Sequence, residues 1–332
     1  MNRRLLVTLT LCISLSLFVT LTDAHIPQVP DDGTTLATAT EIIDPWRSWF
    51  YYSELDLGIP HYYTFEATAG ERIRFMLNVP IPEVDRGVLP TLVLMGPGVT
   101  NQGTPPGFLE IPVGAGTMVI DPIPHLEFEG FTPMAQYEVV DLNMTAPSDG
   151  TYYIAVFDET TGGRYALVTG YVEAYSLLEW ITVPSAAMTL LVWSGQSLLV
   201  LLLINLMPVI IGLFFLVLKK RSALTREKLL TLLGTAGGLL FLGSALSFLT
   251  QTIIALLQAP YNWTAIMSVM FIVAPLLLGV GVLKTVQSDD WKNLMKNKVT
   301  LIALGLVAPF VWTGLYLGPV LVVLTGIASL RE

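Results

Sequence analysis

Four long apolar segments, near 195–218, 230–257, 264–283 and 300–327, decide what this chain can be. Crossing the ~30 Å hydrocarbon core of a bilayer takes a helix of about 20 apolar residues, and each segment is long enough. Backbone polar groups in lipid must be bonded within the protein, so the expected form of residues 195–328 is four transmembrane helices. None of the four carries Asp, Glu, His, Lys or Arg in its interior, and proton- or ion-coupled transporters ordinarily need such groups. The chain of 332 residues has a mean hydropathy of +0.65, too apolar for a soluble protein, and the apolarity is confined to this half.

The basic residues orient the bundle. Lys219, Lys220, Arg221, Arg226 and Lys228 fill the first inter-helix loop, and Lys284, Lys292, Lys296 and Lys298 fill the third. The middle loop, Ala259–Trp263, has none. Positively charged loops stay cytoplasmic, which puts loops one and three inside and, with four crossings, both flanks of the bundle outside. Residues 1–24 read as a secretory signal: Arg3 and Arg4, an apolar run, then Thr22-Asp23-Ala24 as a small-residue cleavage site. A retained anchor is the alternative. Cys12, the only cysteine, follows Leu11, where a lipoprotein site needs a small residue, so the exported chain is expected to hold neither thiol nor disulfide.

Residues 25–178 are of another kind. From His25 to Glu179 there are 21 acidic residues against five arginines and no lysine, a net charge of −16. Such a surface repels nucleic acid and anionic lipid; it reads first as solubility or adaptation to salt, before any role in binding cations. Short runs rich in Tyr, Phe, Val and Ile, at 61–67, 72–79, 91–96, 137–144, 151–157 and 164–174, are separated by Gly, Pro, Asp and Asn. That pattern predicts an exported β-sandwich. In the second run Ile73, Phe75, Leu77 and Val79 alternate with Arg72, Arg74, Met76 and Asn78, which predicts one buried face and one wet face. Residues 151–171 read as a hairpin turning at Gly162-Gly163. Residues 179–194, with Trp180 and Trp193, read as an interfacial connector.

The stretch HYYTFEATAGERIRFML, followed later by DGTYYIAVFDETTGGRYALVTG, resembles the pre-peptidase C-terminal domain, a small β-sandwich appended to many exported proteins. The resemblance implies a fold through packing residues and supplies no catalytic group. At the level of architecture alone, an exported β-sandwich that begins with histidine and joins a helical membrane region looks like fused CopC–CopD copper-uptake proteins and the copper subunit of particulate methane monooxygenase. That likeness carries over only His25.

All three histidines, His25, His61 and His125, fall in the exported part. Cleavage after Ala24 would give His25 two ligands, its α-amine and its ring, and a second imidazole would complete a nitrogen site suited to Cu(II). His61 opens the run HYYTFEA, and His125 lies in an expected loop beside Glu127 and Glu129. A lone histidine is more often an ordinary hydrogen-bonding residue, and no HxH or HxxxH spacing is present. Met207, Met267 and Met270 could form a soft path for Cu(I), though packing is the commoner role. Acidic turns at 31–34 and 158–163 read as solvated turns before they read as calcium ligands, and Asn143 heads a glycosylation sequon. Gly314 with Gly318, and Gly234 with Gly237 and Gly238, predict close helix packing, possible in a homo-oligomer. GxSxG, HExxH, a phosphate-binding loop and a cysteine nucleophile are all missing, so hydrolase chemistry has no positive support and no catalytic constellation is recognised. Two functions follow: a membrane-anchored extracytoplasmic binding or scaffold protein whose partner is an envelope protein or glycan, or a copper protein with an N-terminal histidine brace.

Overall fold

The computed structural model describes residues 26–31, 33–219, 225–288 and 291–330; the expected signal segment and His25 lie outside them. Its N-terminal part is two β-sheets and its C-terminal part is helical. One sheet has six strands in the order β1 (Ile26–Gln28), β3 (Trp49–Leu55), β11 (Gly163–Thr169), β5 (Arg72–Pro80), β9 (Met134–Thr145), β8 (His125–Glu129). The other has five, in the order β2 (Thr40–Glu41), β4 (His61–Ala67), β10 (Gly150–Phe157), β6 (Thr91–Gly96), β7 (Gly116–Ile120). Alternation along the strands sets Phe75, Leu77 and Leu167 of the first sheet in one buried core with Phe65, Leu94 and Ile154 of the second. The Phe65 and Phe75 rings lie 4.9 Å apart.

Two expectations change here. Residues 151–171 are not a hairpin, because β10 pairs with β4 and β6 while β11 pairs with β3 and β5. Tyr152, Ile154 and Val156 of β10 and Tyr165 and Leu167 of β11 all enter the same core, so the two strands belong to opposite layers. Gly162 (φ 64°) and Gly163 (φ 145°) turn the chain between the layers rather than within one. The face of β5 expected to be wet is buried at Met76 and Asn78, which are 6% and 5% exposed. Its cover is the helix α2 (Leu177–Trp193): Leu190, Leu191 and Trp193 pack on Phe50, Met76, Ala166 and Val168 across the outside of the six-stranded sheet.

Three helices are long and apolar enough to cross a membrane: α3 (Leu198–Lys219), α4 (Arg226–Gln258) and α5 (Ala265–Val286), following a short α1 (Ile81–Asp85) and α2. The expected fourth crossing is a hairpin. Helix α6 (Met295–Val307) runs into a 3-10 turn at Ala308–Val311, and α7 (Leu317–Ser329) returns beside it, with Gly305 against Val323 and Gly326 against Ile302. Thirteen residues give each arm about 20 Å, short of the ~30 Å core. Pro309 has no N–H to continue the first helix, and Trp312, Gly314, Leu315 and Tyr316 all take positive φ, which reverses the chain. Lys298, buried on α6, donates from Nζ to the carbonyl of Ser329 at the end of α7, closing the open end. The glycine faces serve this packing: Gly234, Gly237 and Gly238 meet Val286, Val322 and Leu283, and Gly318 meets Phe241.

The two parts dock through the β8–β9 turn. Asn262 donates to Phe128 O (2.9 Å) and Ser268 Oγ to Gly130 O (2.7 Å). A Cβ on Gly130 would stand 2.1 Å from Thr264 O, so backbone meets backbone with no room for a side chain. The sheets therefore sit at the end of α4 and start of α5, opposite the helix ends that carry Arg226, Lys228 and Lys284. Gly130→Val should separate the parts, at about 1–3 kcal/mol for overpacking. Faster proteolysis within 128–134 and 259–264, with the strands still protected, is the expected result.

Candidate functional site: a cleft beneath the connector helix

Helix α2 is fastened at both ends to the two-sheet part. At its start Ser176 and Glu179 form a reciprocal capping box, and the Glu179 carboxylate also takes a 2.6 Å ion pair from Arg47, whose guanidinium lies 4.2 Å over the Trp49 ring. Burial pushes the Glu179 carboxyl up, but bonds from the Ser176 N–H and hydroxyl and the Arg47 charge outweigh it and leave it below its ordinary value. At its end Arg164 donates to the Trp193 carbonyl while paired with Glu83, a carboxylate only 1% exposed, at 2.5 Å. Cations suit helix C-termini, where carbonyls lack partners.

The other side of α2 meets the hairpin tip. Trp180 Nε1 donates to Phe310 O (3.1 Å), Trp312 Nε1 to Trp180 O (3.0 Å) and Tyr316 Oη to Ile181 O (2.8 Å). The Trp312 ring stacks on Phe271 at 4.3 Å. Trp312, Leu315 and Tyr316, at φ 49°, 50° and 59°, are left-handed without being glycine, a backbone cost of order 1–3 kcal/mol each that the surrounding contacts sustain.

Besides a ≈ 20 Å³ cavity between α2 and the six-stranded sheet beside Glu129, three cavities that share lining residues follow the underside of α2. The first, ≈ 330 Å³, opens between α1, the segment 194–197 and the end of α4. The second, ≈ 70 Å³, shares Pro133 and Gln251 with it and is bordered by Asn205, Ser244 and Ser247. The third, ≈ 230 Å³, shares Pro184, Met188, Trp312 and Leu315 with the second and ends at the hairpin tip. A neutral polar network runs through the middle one. Gln196 donates to Gln251 Oε1 (2.8 Å), Asn205 Nδ2 to Leu201 O and Ser247 Oγ (both 3.0 Å), and the Gly314 N–H to Ser244 Oγ (2.9 Å). None of the three is lined by an ionisable acid, a base or histidine. Such a site suits an uncharged hydrogen-bonding molecule; an ion would lie there without a counter-charge.

The residues singled out in the sequence lie elsewhere. His61 heads β4, with Nδ1 3.0 Å from Tyr165 Oη and 3.4 Å from Ser53 Oγ, and Tyr165 Oη reaches Tyr63 Oη at 2.7 Å. Burial raises both phenols. His125 starts the edge strand β8 of the other sheet, exposed and opposite Glu138, not in a loop. Ile26, next to His25, pairs with Trp49, whereas His61 meets Ser53, about 13 Å further along β3 at 3.3 Å per residue. Among the described residues no group of three or more His, Cys, Asp or Glu gathers to hold a metal. Met267 and Met270 pack on Phe131 and Trp312, while Met207 is 43% exposed on α3. The acidic turn at 158 is structural: Asp158 accepts from the N–H groups of Leu89, Thr160 and Thr161 and from the Thr160 hydroxyl. Sequence reasoning missed Arg47, Arg164, Glu83, Gln196, Ser244, Ser247 and Thr313. The scarcity of arginine in so acidic a part is the one signal that Arg47 and Arg164 have assigned partners.

Arg164→Leu leaves the buried Glu83 carboxylate short of its main counter-charge and should cost about 3 kcal/mol, much of it recovered by adding Glu83→Leu; denaturant titration of the two variants measures this. Burial also pushes the Asp158 carboxyl up, but its four bonds outweigh that, so Asp158, like Glu179, sits below its ordinary value when folded. The unfolded chain then binds more protons near pH 4. Their contribution is full above that range and is lost as pH falls through the lower folded values. Asp158→Asn should flatten the acid limb of a plot of melting temperature against pH.

No protein-family model matches the chain and no curated protein matches it.

Proposed function

We propose that the chain is a membrane-anchored extracytoplasmic binding or scaffold protein, a β-sandwich ectodomain fastened to a membrane bundle. One observation carries the reading: the two sheets dock on the helix ends opposite those bearing Arg226, Lys228 and Lys284. Positively charged ends remain cytoplasmic, which supports a position of the sheets on the outer side. Three crossings and a hairpin that enters from the basic end then return the C-terminus to the cytoplasm, in place of the outer position that four crossings imply. The six-stranded sheet is occupied by α2, so the partner-facing surface is the five-stranded sheet with the segment 97–115 folded over it. Leu109 is buried there against Tyr62 and Val93, while Phe108, Ile111 and Val113 stay exposed. An envelope protein or glycan is the partner class, and apolar side chains on an acidic surface suit such contact. No described contact favours copper over this reading, and His25 remains its carrier.

Single cysteines at Val113, Lys292 and Leu330, in a chain whose one native cysteine is Cys12, test the orientation with a membrane-impermeant maleimide. Val113→Cys should label in intact cells, and Lys292→Cys and Leu330→Cys only after permeabilisation. Labelling of Lys292→Cys in intact cells overturns it. A photo-crosslinking residue at Ile111 should give discrete adducts in cells; none forming would remove the binding role.

A further inference from the structure

The cleft under α2 has features that support of a helix does not require. Thr313 is 2% exposed, lies in the wall of the ≈ 230 Å³ cavity, and its hydroxyl has no hydrogen-bond partner. Asn205 and Gln251 are 4% and 3% exposed, and their bonds use Asn205 Nδ2 and Gln251 Oε1. Among the described residues that leaves an acceptor, Asn205 Oδ1, and a donor, Gln251 Nε2, bordering the same small cavity. A hydroxyl enclosed without a partner, with an amide acceptor and an amide donor bordering the adjoining cavity, marks a place for a molecule that both gives and takes hydrogen bonds.

The far end is of opposite character. Pro184, Met188, Pro309, Leu315 and Pro319 make most of its wall, and beside it Leu317 and Val320 are 57% and 52% exposed on α7. On a helix within a membrane bundle those side chains face lipid. The cavity thus opens towards the bilayer at an apolar end and closes on neutral amides at the other. Charged lipid heads are excluded by the absence of any ionisable lining residue, since a buried phosphate without a cation is costly.

We infer that this cleft binds a membrane lipid with an uncharged hydroxyl head, the chain lying against Met188 and Pro319 beside Thr313 and the head between Asn205 and Gln251 in the adjoining cavity. The hydroxyl donates to Asn205 and accepts from Gln251, and the ≈ 70 Å³ of the inner cavity leaves room for little more than that head. The left-handed tip residues hold Thr313 at the point where chain and head meet. The site belongs to the membrane half and stands independently of any partner of the five-stranded sheet.

The test uses the full chain in nanodiscs of zwitterionic lipid, with a long-chain fatty alcohol carrying a diazirine and an alkyne as probe. Saturable crosslinking to peptides covering 184–188 and 309–319 is expected. Met188→Trp, which fills the crevice, should abolish it, and Asn205→Leu should weaken apparent affinity about tenfold. Thr313→Val keeps shape and volume and should weaken it severalfold with an unchanged melting temperature, which separates loss of a contact from loss of folding. Labelling spread along the lipid-facing residues Leu199, Ile210 and Phe214 and unaltered by Met188→Trp would overturn the site. Equal competition by the matching alkyl phosphate would overturn the assigned head group.

Discussion

The outer face of the six-stranded sheet is apolar where a sheet facing solvent would ordinarily be polar, and the architecture follows from covering it. Phe50, Met76, Ala166 and Val168 need a partner, and α2 supplies Leu190, Leu191 and Trp193. Each buried side chain of this size is worth about 1.5–3 kcal/mol, so the interface outweighs the ion pairs at its ends. What Arg47 and Arg164 add is direction. A helix held only by apolar contact can slide; one tied at Glu179 and at the Trp193 carbonyl has a fixed register over the cleft.

Fixing α2 also explains how irregular backbone survives in the membrane part. The hairpin tip leaves polar groups of residues 308–316 without helical partners, which hydrocarbon does not tolerate. Trp180 Nε1 takes up Phe310 O and Ser244 Oγ takes up the Gly314 N–H, while Trp312 and Thr313 N–H bond Pro309 O and Ala308 O within the turn. Sheet, connector and tip form one continuous support, which allows a polar cavity to persist at that depth.

Much of this was legible in the sequence, and the gaps have physical causes. Period-two patterning found β4, β5, β6, β9, β10 and β11, because their inward residues are Tyr, Phe, Leu, Ile and Val. It missed the short strands β1 and β2, the edge strand β7, and β3, which is buried on both faces and so without alternation. It also missed β8, an edge strand whose one buried residue, Phe128, packs on Ala255, Ala259 and Ala265 rather than in the core between the sheets. Hydropathy found the three helices long and apolar enough to cross a membrane. At 300–327 it sums apolar area and ignores whether Pro309 and Gly314 let the backbone continue, so it reads two short helices as one. The convergence of Asn205, Gln251 and Pro309 under α2 depends on contacts remote in sequence, such as Glu83 with Arg164, and no local pattern announces those.

The bonds joining Trp180 to Phe310 and Trp312 span 130 and 132 residues. A chain made from its N-terminus completes both sheets, and has α2 in place on them, long before the hairpin leaves the ribosome. For all of that interval α2 lacks its bonds to the hairpin tip, although Val183 already meets Met267, Met270 and Phe271 once α5 is made. The connector is therefore made midway but completed late: the Asn262 and Ser268 bonds to Phe128 and Gly130 can seat the sheets before the hairpin is made, and the hairpin tip then adds the final contacts to α2.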